Sequence, residues 1–546
     1  MVQTDRPVEP VEAPAEPSTP TRRRGSGGPA ARVRAVVVLV AVVAGALLLV
    51  RLGAQERGGP PHSDVTLPNG IPATVYVPGE VDDDFQDLPD PAPVGQRPPV
   101  VALGHGFSAD RVLMSTLARS LTAAGYAVVA FDFQGHGSNP HRFGSTDLRA
   151  DVRAVVDWIE DQPYWDPSRL AVMGHSMGAG AVLDFATVDA RPDVVVPISG
   201  GWNVDGPEVP KHVFLILAED DPSGLHDRVE NAEDRLGRAG AKVERSVVAS
   251  TDHATILWSG VAVERIVAWM DDAFGIERDA PATRADGRLG TTGLYFLCVL
   301  VVIAAIGVGA ARLAPTMATR PFGRAAGAGL AVFAGALLVT MPLLSTATPT
   351  TFVPLEVGDV QAAQLFATGA LVLALGVAVR RGSLSWLDPA WLGATDRTVR
   401  DDVRGLALPV AAAVIALYLV ITPFGAVYHR LALTPARLLA GAIMAVLVFP
   451  FWLAAERLTR RGGTVQATLM GVATKVVLLI VTMIGVNLEV LPGVIAVIVP
   501  VLVLIFVLFE VFAAAAYAAG RNIALIAAVQ AIWMAWFAAA TMPIRL

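Results

Sequence analysis

Cysteine and lysine are scarce in this chain. Cys298 is the single cysteine among 546 residues, so neither a disulfide within the chain nor a cysteine-based metal site can form. Lysine occurs only at positions 211, 242 and 475, charged residues make up 17% of the chain, and the net charge is −7. Nucleic-acid binding requires a basic face that neutralises phosphates. The composition therefore argues against a disulfide framework and against a nucleic-acid partner.

Apolar residues are abundant but unevenly spread. They make up 53% of the chain; residues 55–290 mix them with charges, whereas residues 291–546 consist mostly of long apolar runs. A chain of 546 residues also exceeds one ordinary domain. We therefore expect a globular domain over residues 65–275, a charged linker over 276–290 and a membrane domain over 291–546.

The N-terminal segment has a tail-and-anchor pattern. Residues 1–31 are rich in Pro, Glu, Ser and Gly and cannot bury enough apolar surface to fold, which predicts a disordered tail. Arginines then precede an uncharged run that ends at Arg51. We interpret residues 33–54 as a transmembrane anchor with the tail in the cytoplasm. A cleaved signal peptide is the alternative, but no small-x-small cleavage site follows the run.

Eight apolar runs follow the linker, each about as long as a bilayer is thick. They lie near residues 291–311, 325–345, 361–379, 405–425, 438–455, 466–486, 493–519 and 522–542. Arginines cluster in alternate loops, although Arg430 and Arg437 break the pattern. The positive-inside rule predicts eight spans after the anchor in a multi-pass protein of the cell membrane, with the globular domain outside the cytoplasm.

Between anchor and linker, short apolar strands alternate with helices. The predicted strands cover residues 73–78, 99–103, 126–131, 170–173, 194–198, 213–218 and 242–248, and the predicted helices cover 110–124, 148–162, 176–187, 225–239 and 254–274. This alternation predicts a mostly parallel sheet with helices on both faces. The expected fold class is thus an α/β domain joined to an all-α multi-pass transmembrane domain.

The strand ending at Met173 leads into Gly174-His175-Ser176-Met177-Gly178, and a helix follows. Glycines at the first and last positions permit a tight strand-to-helix turn with the serine at its tip. The helix N-terminus then points backbone amides at the place where an oxyanion would form. This context predicts that Ser176 is a nucleophile.

A serine hydroxyl is a weak nucleophile, so it needs a base that is itself held by an acid. On a sheet with this kind of turn, the chain order is serine, acid, histidine. His253 is the preferred base because it lies in the loop after strand 242–248. His212 lies at the opposite end of its strand, and His429 lies beyond the linker.

The acid is expected at the carboxyl end of the predicted strand 213–218. Glu219, Asp220 and Asp221 stand there. Asp221 is preferred, and Asp220 is the alternative. The carboxylate would hold the imidazole in the required tautomer and stabilise the imidazolium.

An oxyanion needs two hydrogen-bond donors. The amide of Met177, directly after the nucleophile, is one candidate. The second is the amide of Phe107, because Gly104-His105-Gly106-Phe107 follows an earlier strand.

With these pieces together, the soluble part resembles the α/β-hydrolase superfamily. The matching segments are Gly104–Phe107, Asp132–Gly137, Gly174–Gly178, Ala218–Asp221 and Asp252–His253. In that family the acid often stands in Gly-x-x-Asp, which corresponds to Asp221, although Ala218 replaces the glycine. The resemblance implies no catalytic role for His136, and it does not extend to the membrane half.

Only a dozen residues separate Gly200 from Val213, where many members of the superfamily insert a helical lid. The domain therefore resembles lidless members of the dienelactone-hydrolase, cutinase-like or serine-aminopeptidase type.

Two charged residues lie within predicted spans. Lys475 and Glu510 fall at similar depths in neighbouring antiparallel spans, where an isolated charge is costly. We expect them to form a buried pair, which either holds the spans together or belongs to an ion or proton pathway.

The leading hypothesis is a membrane-anchored serine hydrolase that cleaves an ester, thioester or amide outside the cytoplasm. It requires no cofactor or metal, and its expected partners are an acyl-containing small molecule or lipid substrate and the surrounding membrane lipid. One alternative is a transporter or lipid-handling protein with an accessory hydrolase-like domain. Another is an acyltransferase, since the same triad can pass the acyl group to an alcohol.

Overall fold

The computed structural model describes residues 29–79, 93, 95–279, 286–313, 324–345, 353–384, 407–460, 462–520 and 522–545. Residues 1–28 of the predicted tail, and residues 80–92 and 94 between the first two predicted strands, lie outside these ranges. The first helix begins at Pro29, so the last three residues assigned to a disordered tail are helical.

An eight-stranded sheet and its helices form the α/β domain, which covers residues 62–275. The strands are β1 His62–Thr66, β2 Pro72–Tyr76, β3 Pro99–Gly104, β4 Ala127–Phe131, β5 Asp166–His175, β6 Val194–Ile198, β7 His212–Ala218 and β8 Lys242–Val248. The helices of this domain are α2 Ser115–Ala123, α3 Leu148–Glu160, α4 Met177–Ala186, α5 Ser223–Ala239 and α6 Gly260–Phe274.

The strand order is β1-β2-β4-β3-β5-β6-β7-β8. β2 pairs antiparallel with both β1 and β4, and all other pairings are parallel. Strands such as β3 and β4 are buried along their whole length, as expected when helices cover both faces. Two hydrophobic clusters, one on each face, form the core of the domain. The predicted α/β fold is confirmed.

Two local differences have physical reasons. Strand β1 was not predicted, because His62–Thr66 is an edge strand with partly exposed polar residues and no apolar run. The predicted helix 254–274 is interrupted at Ser259, whose side chain accepts a hydrogen bond from the amide of Ala262 and caps α6. A 3-10 turn, Thr255–Trp258, takes the place of the first helical turn.

The remaining helices form the helical domain. They are α1 Pro29–Arg57, α7 Arg288–Leu313, α8 Arg324–Ser345, α9 Gly358–Arg380, α10 Ala407–Ile421, α11 Pro435–Thr459, α12 Thr464–Asn487, α13 Val494–Gly520 and α14 Ile523–Thr541. Each of the eight predicted runs is helical, and α7 begins three residues before the end of the predicted linker. Among the described residues, seven helices (α1, α7, α9 and α11–α14) are long and apolar enough to cross a membrane. The described parts of α8 and α10 give shorter apolar segments.

The α/β domain is attached to one end of the helical domain through polar contacts. Arg437, in the first turn of α11, donates hydrogen bonds to the carbonyl oxygens of Gly135 and Gly137 at 2.6 and 3.0 Å. Arg430 donates through its amide to Asp110 and through its guanidinium to Asp64, at 2.8 and 2.9 Å. The two arginines that break the charge pattern are therefore among the residues that hold the α/β domain.

The C-terminal residues complete this attachment. Ile544 pairs with Leu355 in an antiparallel bridge. Its amide donates to Gly135 O, and its carbonyl accepts from the amide of Phe143, both at 2.8 Å. The chain after α14 is thus hydrogen-bonded both to the helical domain and to the loop that follows β4.

Candidate active site

The predicted nucleophile lies on a strained turn between β5 and α4. Ser176 has φ 53° and ψ −110°, a backbone conformation that non-glycine residues rarely adopt and that is concentrated at functional sites. A Cβ at Gly174 would lie 2.3 Å from Gly178 O, and one at Gly178 would lie 2.6 Å from His105 O. Only glycine therefore fits at either position, and the turn presents the Ser176 hydroxyl above α4.

Three side chains form a continuous hydrogen-bonded line at the carboxyl edge of the sheet. The hydroxyl of Ser176 donates to His253 Nε2 at 2.9 Å. His253 Nδ1 donates to Asp221 Oδ1 at 2.5 Å. These residues follow β5, β8 and β7, whose parallel directions bring their carboxyl ends to one edge. The geometry is that of a nucleophile, a base and an acid.

The three neighbouring acids have separate roles. Asp221 contacts His253, whereas the Glu219 carboxylate accepts from the amide of Ser250 at 2.7 Å. The amide of Asp220 donates to Thr251 O at 3.0 Å. Glu219 and the backbone of Asp220 thus hold the loop after β8, and the carboxylate that reaches the imidazole is that of Asp221.

Asp221 is buried but ionisable. Burial alone would raise the pKa of its carboxyl, but the hydrogen bonds from His253 and Ser199 and the amide of Ala218 outweigh burial and hold the pKa below its usual value. A charged Asp221 fixes the proton on His253 Nδ1 and leaves Nε2 free to accept the serine proton.

Ser199 is a member of this site that was not predicted. Its hydroxyl donates to Asp221 Oδ2 at 2.6 Å, and the amide of Ala218 donates to the same oxygen at 2.9 Å. Ser199 follows β6 and has φ 48°. The signal that could have found it is position, because it occupies the first loop residue after a strand that lies between the nucleophile strand and the acid strand.

His175 supports the base from beneath. Its Nε2 donates to the carbonyl oxygen of His253 at 2.7 Å, and the two rings lie 5.0 Å apart. Burial, with a smaller contribution from the charge of His253, lowers the pKa of His175 to about 3. His175 is therefore a neutral positioning residue.

The loop after β3 lies against the nucleophile. A Cβ at Gly106 would be 3.3 Å from the Ser176 Cβ, so the next peptide, which carries the Phe107 amide, is beside the serine. His105 holds this loop: its Nε2 accepts from the Phe133 amide at 3.0 Å, and its Nδ1 therefore carries the proton that it donates to Gly106 O at 2.8 Å. Burial lowers the pKa of His105. The amide of Met177 opens α4 on the other side of the serine.

His136, for which no catalytic role is expected, is fully buried and contacts the rings of His105, Phe107 and Phe143. Burial lowers the pKa of its imidazole well below the usual value. Within the described residues, no group of three His, Cys, Asp or Glu side chains could hold a metal ion.

The helical domain lies over part of the catalytic edge. Phe107 packs against apolar residues of the helical domain, and Ser108 Oγ lies 3.4 Å from Met542 Sδ. On the other side, Trp258 stacks on Tyr428 with ring centroids 6.3 Å apart. Loops of the helical domain thus lie beside the catalytic edge, which the sequence did not indicate.

The predicted pair inside the helical domain is also present. Lys475 Nζ lies 2.8 Å from Glu510 Oε2, which confirms the pairing. Arg460 donates to the same oxygen at 2.7 Å and also pairs with Glu456. The pair is thus part of a cluster of two cations and two carboxylates.

The comparisons concern the α/β domain. A family model described as serine aminopeptidase, S33, matches residues 95–215. An uncharacterized protein of Mycobacterium tuberculosis, Rv2307c, is 32% identical over 164 residues, which are 28% of this chain and 57% of that protein. The chain thus spans little more than half the length of this curated relative.

Solved structures are also similar to part of the chain. A Mycobacterium tuberculosis puromycin-hydrolyzing peptidase aligns with TM-score 0.33 and 18% identity, covering 41% of this chain and 40% of that one. The Pyrococcus furiosus esterase Pf2001 aligns with TM-score 0.32 and 18% identity, covering 39% of this chain and 93% of that one.

Proposed function

Since the chain carries an α/β-hydrolase domain, we propose that it is a membrane-anchored serine hydrolase that cleaves an ester, thioester or amide. The observation that carries the proposal is the hydrogen-bonded line of Ser176, His253 and Asp221, at 2.9 and 2.5 Å. Three further features support the proposal: the strained turn at Ser176, the lowered pKa of Asp221 and the glycine loop beside the serine.

In this proposal, Ser176 Oγ attacks the substrate carbonyl carbon while His253 Nε2 takes the hydroxyl proton. The amides of Met177 and Phe107 stabilise the oxyanion. When the tetrahedral intermediate collapses, the bond to the leaving group breaks and His253 returns the proton to that group. Water, activated by the same imidazole, then releases the acid and regenerates the serine.

The roles can be tested by turnover of p-nitrophenyl acetate with the full-length protein in detergent. Ser176→Ala should abolish turnover with the unfolding temperature unchanged. Asp221→Asn should lower kcat by about 10⁴, as for triad acids in general, whereas the neighbouring Asp220→Asn should leave it nearly unchanged. Undiminished turnover by Ser176→Ala would refute the proposal.

We also propose that the protein lies in the cell membrane and that its α/β domain is outside the cytoplasm. The arginine-rich loops support this orientation because they connect the helix ends opposite to those that contact the α/β domain. A membrane-impermeant fluorophosphonate should label the protein in intact cells to the same extent as in lysate. Labelling only after lysis would show that the α/β domain lies in the cytoplasm and would contradict the proposed orientation.

A further inference from the structure

Phe107 is a residue of the α/β domain that also contacts the helical domain. Its backbone amide is the proposed second oxyanion donor, and its side chain packs against two apolar clusters of the helical domain. A carbonyl bound by this amide lies within about 3 Å of it. The substituents of that carbonyl must therefore pass close to the Phe107 side chain and to the helical domain beneath it.

The surface next to Phe107 is apolar. Three partly buried valines, Val486, Val490 and Val494, pack around the same clusters as Phe107. Phe107 and these three valines are called the Phe107 strip below. The strip lies on a buried floor of Val357, Leu491 and Ile495.

The strip continues onto the side of the helical domain. Ile484, near the C-terminal end of α12, is 38% exposed, and Leu488, directly after the helix, is 64% exposed. Such apolar side chains at the end of a long apolar helix belong to the bilayer surface. Exposed apolar side chains are thus available to an acyl chain between the bilayer and the Phe107 strip.

The backbone around the strip is strained. Ser108, Val357 and Glu489 all have positive φ, at 59°, 65° and 57°. Positive φ is rare for a non-glycine residue and exceptional for a β-branched one. Strain of this kind persists only where the surroundings enforce it, and it is concentrated at functional sites. Here it occurs in three separate loops whose residues or chain neighbours belong to the apolar clusters around Phe107.

We propose that the substrate is a long-chain acyl ester drawn from the bilayer, and that its acyl chain lies on the Phe107 strip while its carbonyl carbon is attacked by Ser176. This inference rests on the proposed hydrolase function. Ser176 Oγ forms the new bond to the acyl carbon, the ester bond to the alcohol breaks, and His253 delivers the serine proton to the leaving alcohol. Water then releases the fatty acid.

The first test is the chain-length dependence of turnover. The full-length protein in nanodiscs is assayed with p-nitrophenyl esters from acetyl to palmitoyl. Each methylene buried on the strip should raise kcat/KM about four-fold until the strip is filled. For the palmitoyl ester, the rate should follow its mole fraction in the bilayer rather than its bulk concentration. No gain with chain length, or a rate set by bulk concentration, would overturn the inference.

A charge on the strip is the second test. Val494→Asp places a carboxylate in the first turn of α13, where the helix N-terminus tolerates it. It should remove the gain of kcat/KM with chain length. Val465→Asp is the matched control, because it lies in the first turn of α12 and is 74% exposed. A full chain-length gain in Val494→Asp would overturn the inference.

The outcomes separate the two levels of the proposal. If wild-type protein cleaves the acetyl ester and is labelled, but shows no preference for long chains, the hydrolase function stands and the lipid inference fails. If no ester is cleaved and no serine is labelled, both fail.

Discussion

The guanidinium of Arg437 in the helical domain donates a 2.6 Å hydrogen bond to the carbonyl oxygen of Gly135 in the α/β domain. The same side chain donates to the carbonyl oxygens of Ala539 and Met542 at the end of α14, at 2.7 and 2.9 Å, where the negative end of the helix dipole favours a cation. One buried arginine thus joins the loop after β4, α11 and α14.

Replacing this arginine should weaken the contact between the α/β domain and the helical domain. We expect Arg437→Met to lower the free energy of unfolding by about 3 kcal/mol, because it leaves several buried carbonyl groups without their charged donor. Thermal unfolding in detergent measures this. Arg153→Met is the control, since Arg153 is half exposed and its nearest carboxylate oxygen is 3.8 Å away, a surface pair that contributes little. Equal stability of both variants would contradict this account of the contact between the two domains.

The tight turn at the nucleophile gives a paired glycine test. Gly178→Ala forces a Cβ to within 2.6 Å of His105 O, so it should displace the nucleophile or the oxyanion loop and reduce kcat at least 100-fold, as misplacement of a catalytic group does. Gly180→Ala, two residues later in α4, meets nothing within 4 Å and should keep activity while raising stability by up to about 1 kcal/mol. Similar activities in the two variants would show that the turn is not under steric constraint.

The hydrogen bond from Ser199 should stabilise the charged acid. Ser199→Ala removes it, so the pKa of Asp221 should rise and kcat/KM should fall about ten-fold, in line with the loss of one charge-assisted hydrogen bond. The loss should be larger at acidic pH, where the raised pKa leaves less carboxylate. Ser250→Ala is the matched control, because Ser250 also has a positive φ, 57°. A uniform loss at all pH values would assign Ser199 a purely structural role.

Buried histidines should make the protein sensitive to mild acid. Burial lowers the pKa of His175 to about 3 and also lowers those of His105 and His136. As pH falls below about 6.5, the unfolded chain binds these protons before the folded protein does, so stability is complete above 6.5 and declines toward the folded pKa. Each histidine should contribute a slope of up to about 1.4 kcal/mol per pH unit.

Unfolding temperatures between pH 8 and pH 4.5 measure this slope. His175→Gln can keep the hydrogen bond to the carbonyl oxygen of His253 but has no imidazole to protonate, so its stability should fall less steeply with pH. A wild-type stability that is constant from pH 7 to pH 5 would exclude the effect.

The cluster in the helical domain should be energetically coupled. Glu510→Gln leaves Lys475 and Arg460 facing a single carboxylate, and breaking a buried pair in this way costs about 3–5 kcal/mol. Lys475→Met combined with Glu510→Gln should recover part of that loss, since no extra cation remains. Strictly additive effects in the double-mutant cycle would contradict the coupling.

The local features of the site could be predicted from the sequence because they depend on neighbours along the chain. The glycines around Ser176 require a tight turn wherever that turn lies, and the loop positions of His253 and Asp221 follow from the ends of apolar strands. The choice among Glu219, Asp220 and Asp221 could only be ranked, because three consecutive loop residues point in different directions and the backbone path decides which one meets the imidazole.

The contributions that could not be predicted depend on distant parts of the chain. Ser199 lies in the site because β6 stands between β5 and β7, and Arg460 joins Lys475 only because α11 packs near α12 and α13. The cover over the catalytic edge has no local signal either, since the residues around Phe107 come from the starts of α9 and α13 and from the end of the chain. Arg430 and Arg437 were visible only as exceptions to a charge pattern.

The central claim is that one serine is activated by the imidazole and carboxylate that meet it at the edge of the sheet. The most direct measurement is mass spectrometry of the full-length protein after reaction with a fluorophosphonate, mapping the modified residue in wild type and in His253→Gln. We predict a single adduct on Ser176 that forms at least 100-fold more slowly in His253→Gln, in keeping with the loss of a general base. No adduct, an adduct on another serine, or equal rates in the two proteins would contradict the account.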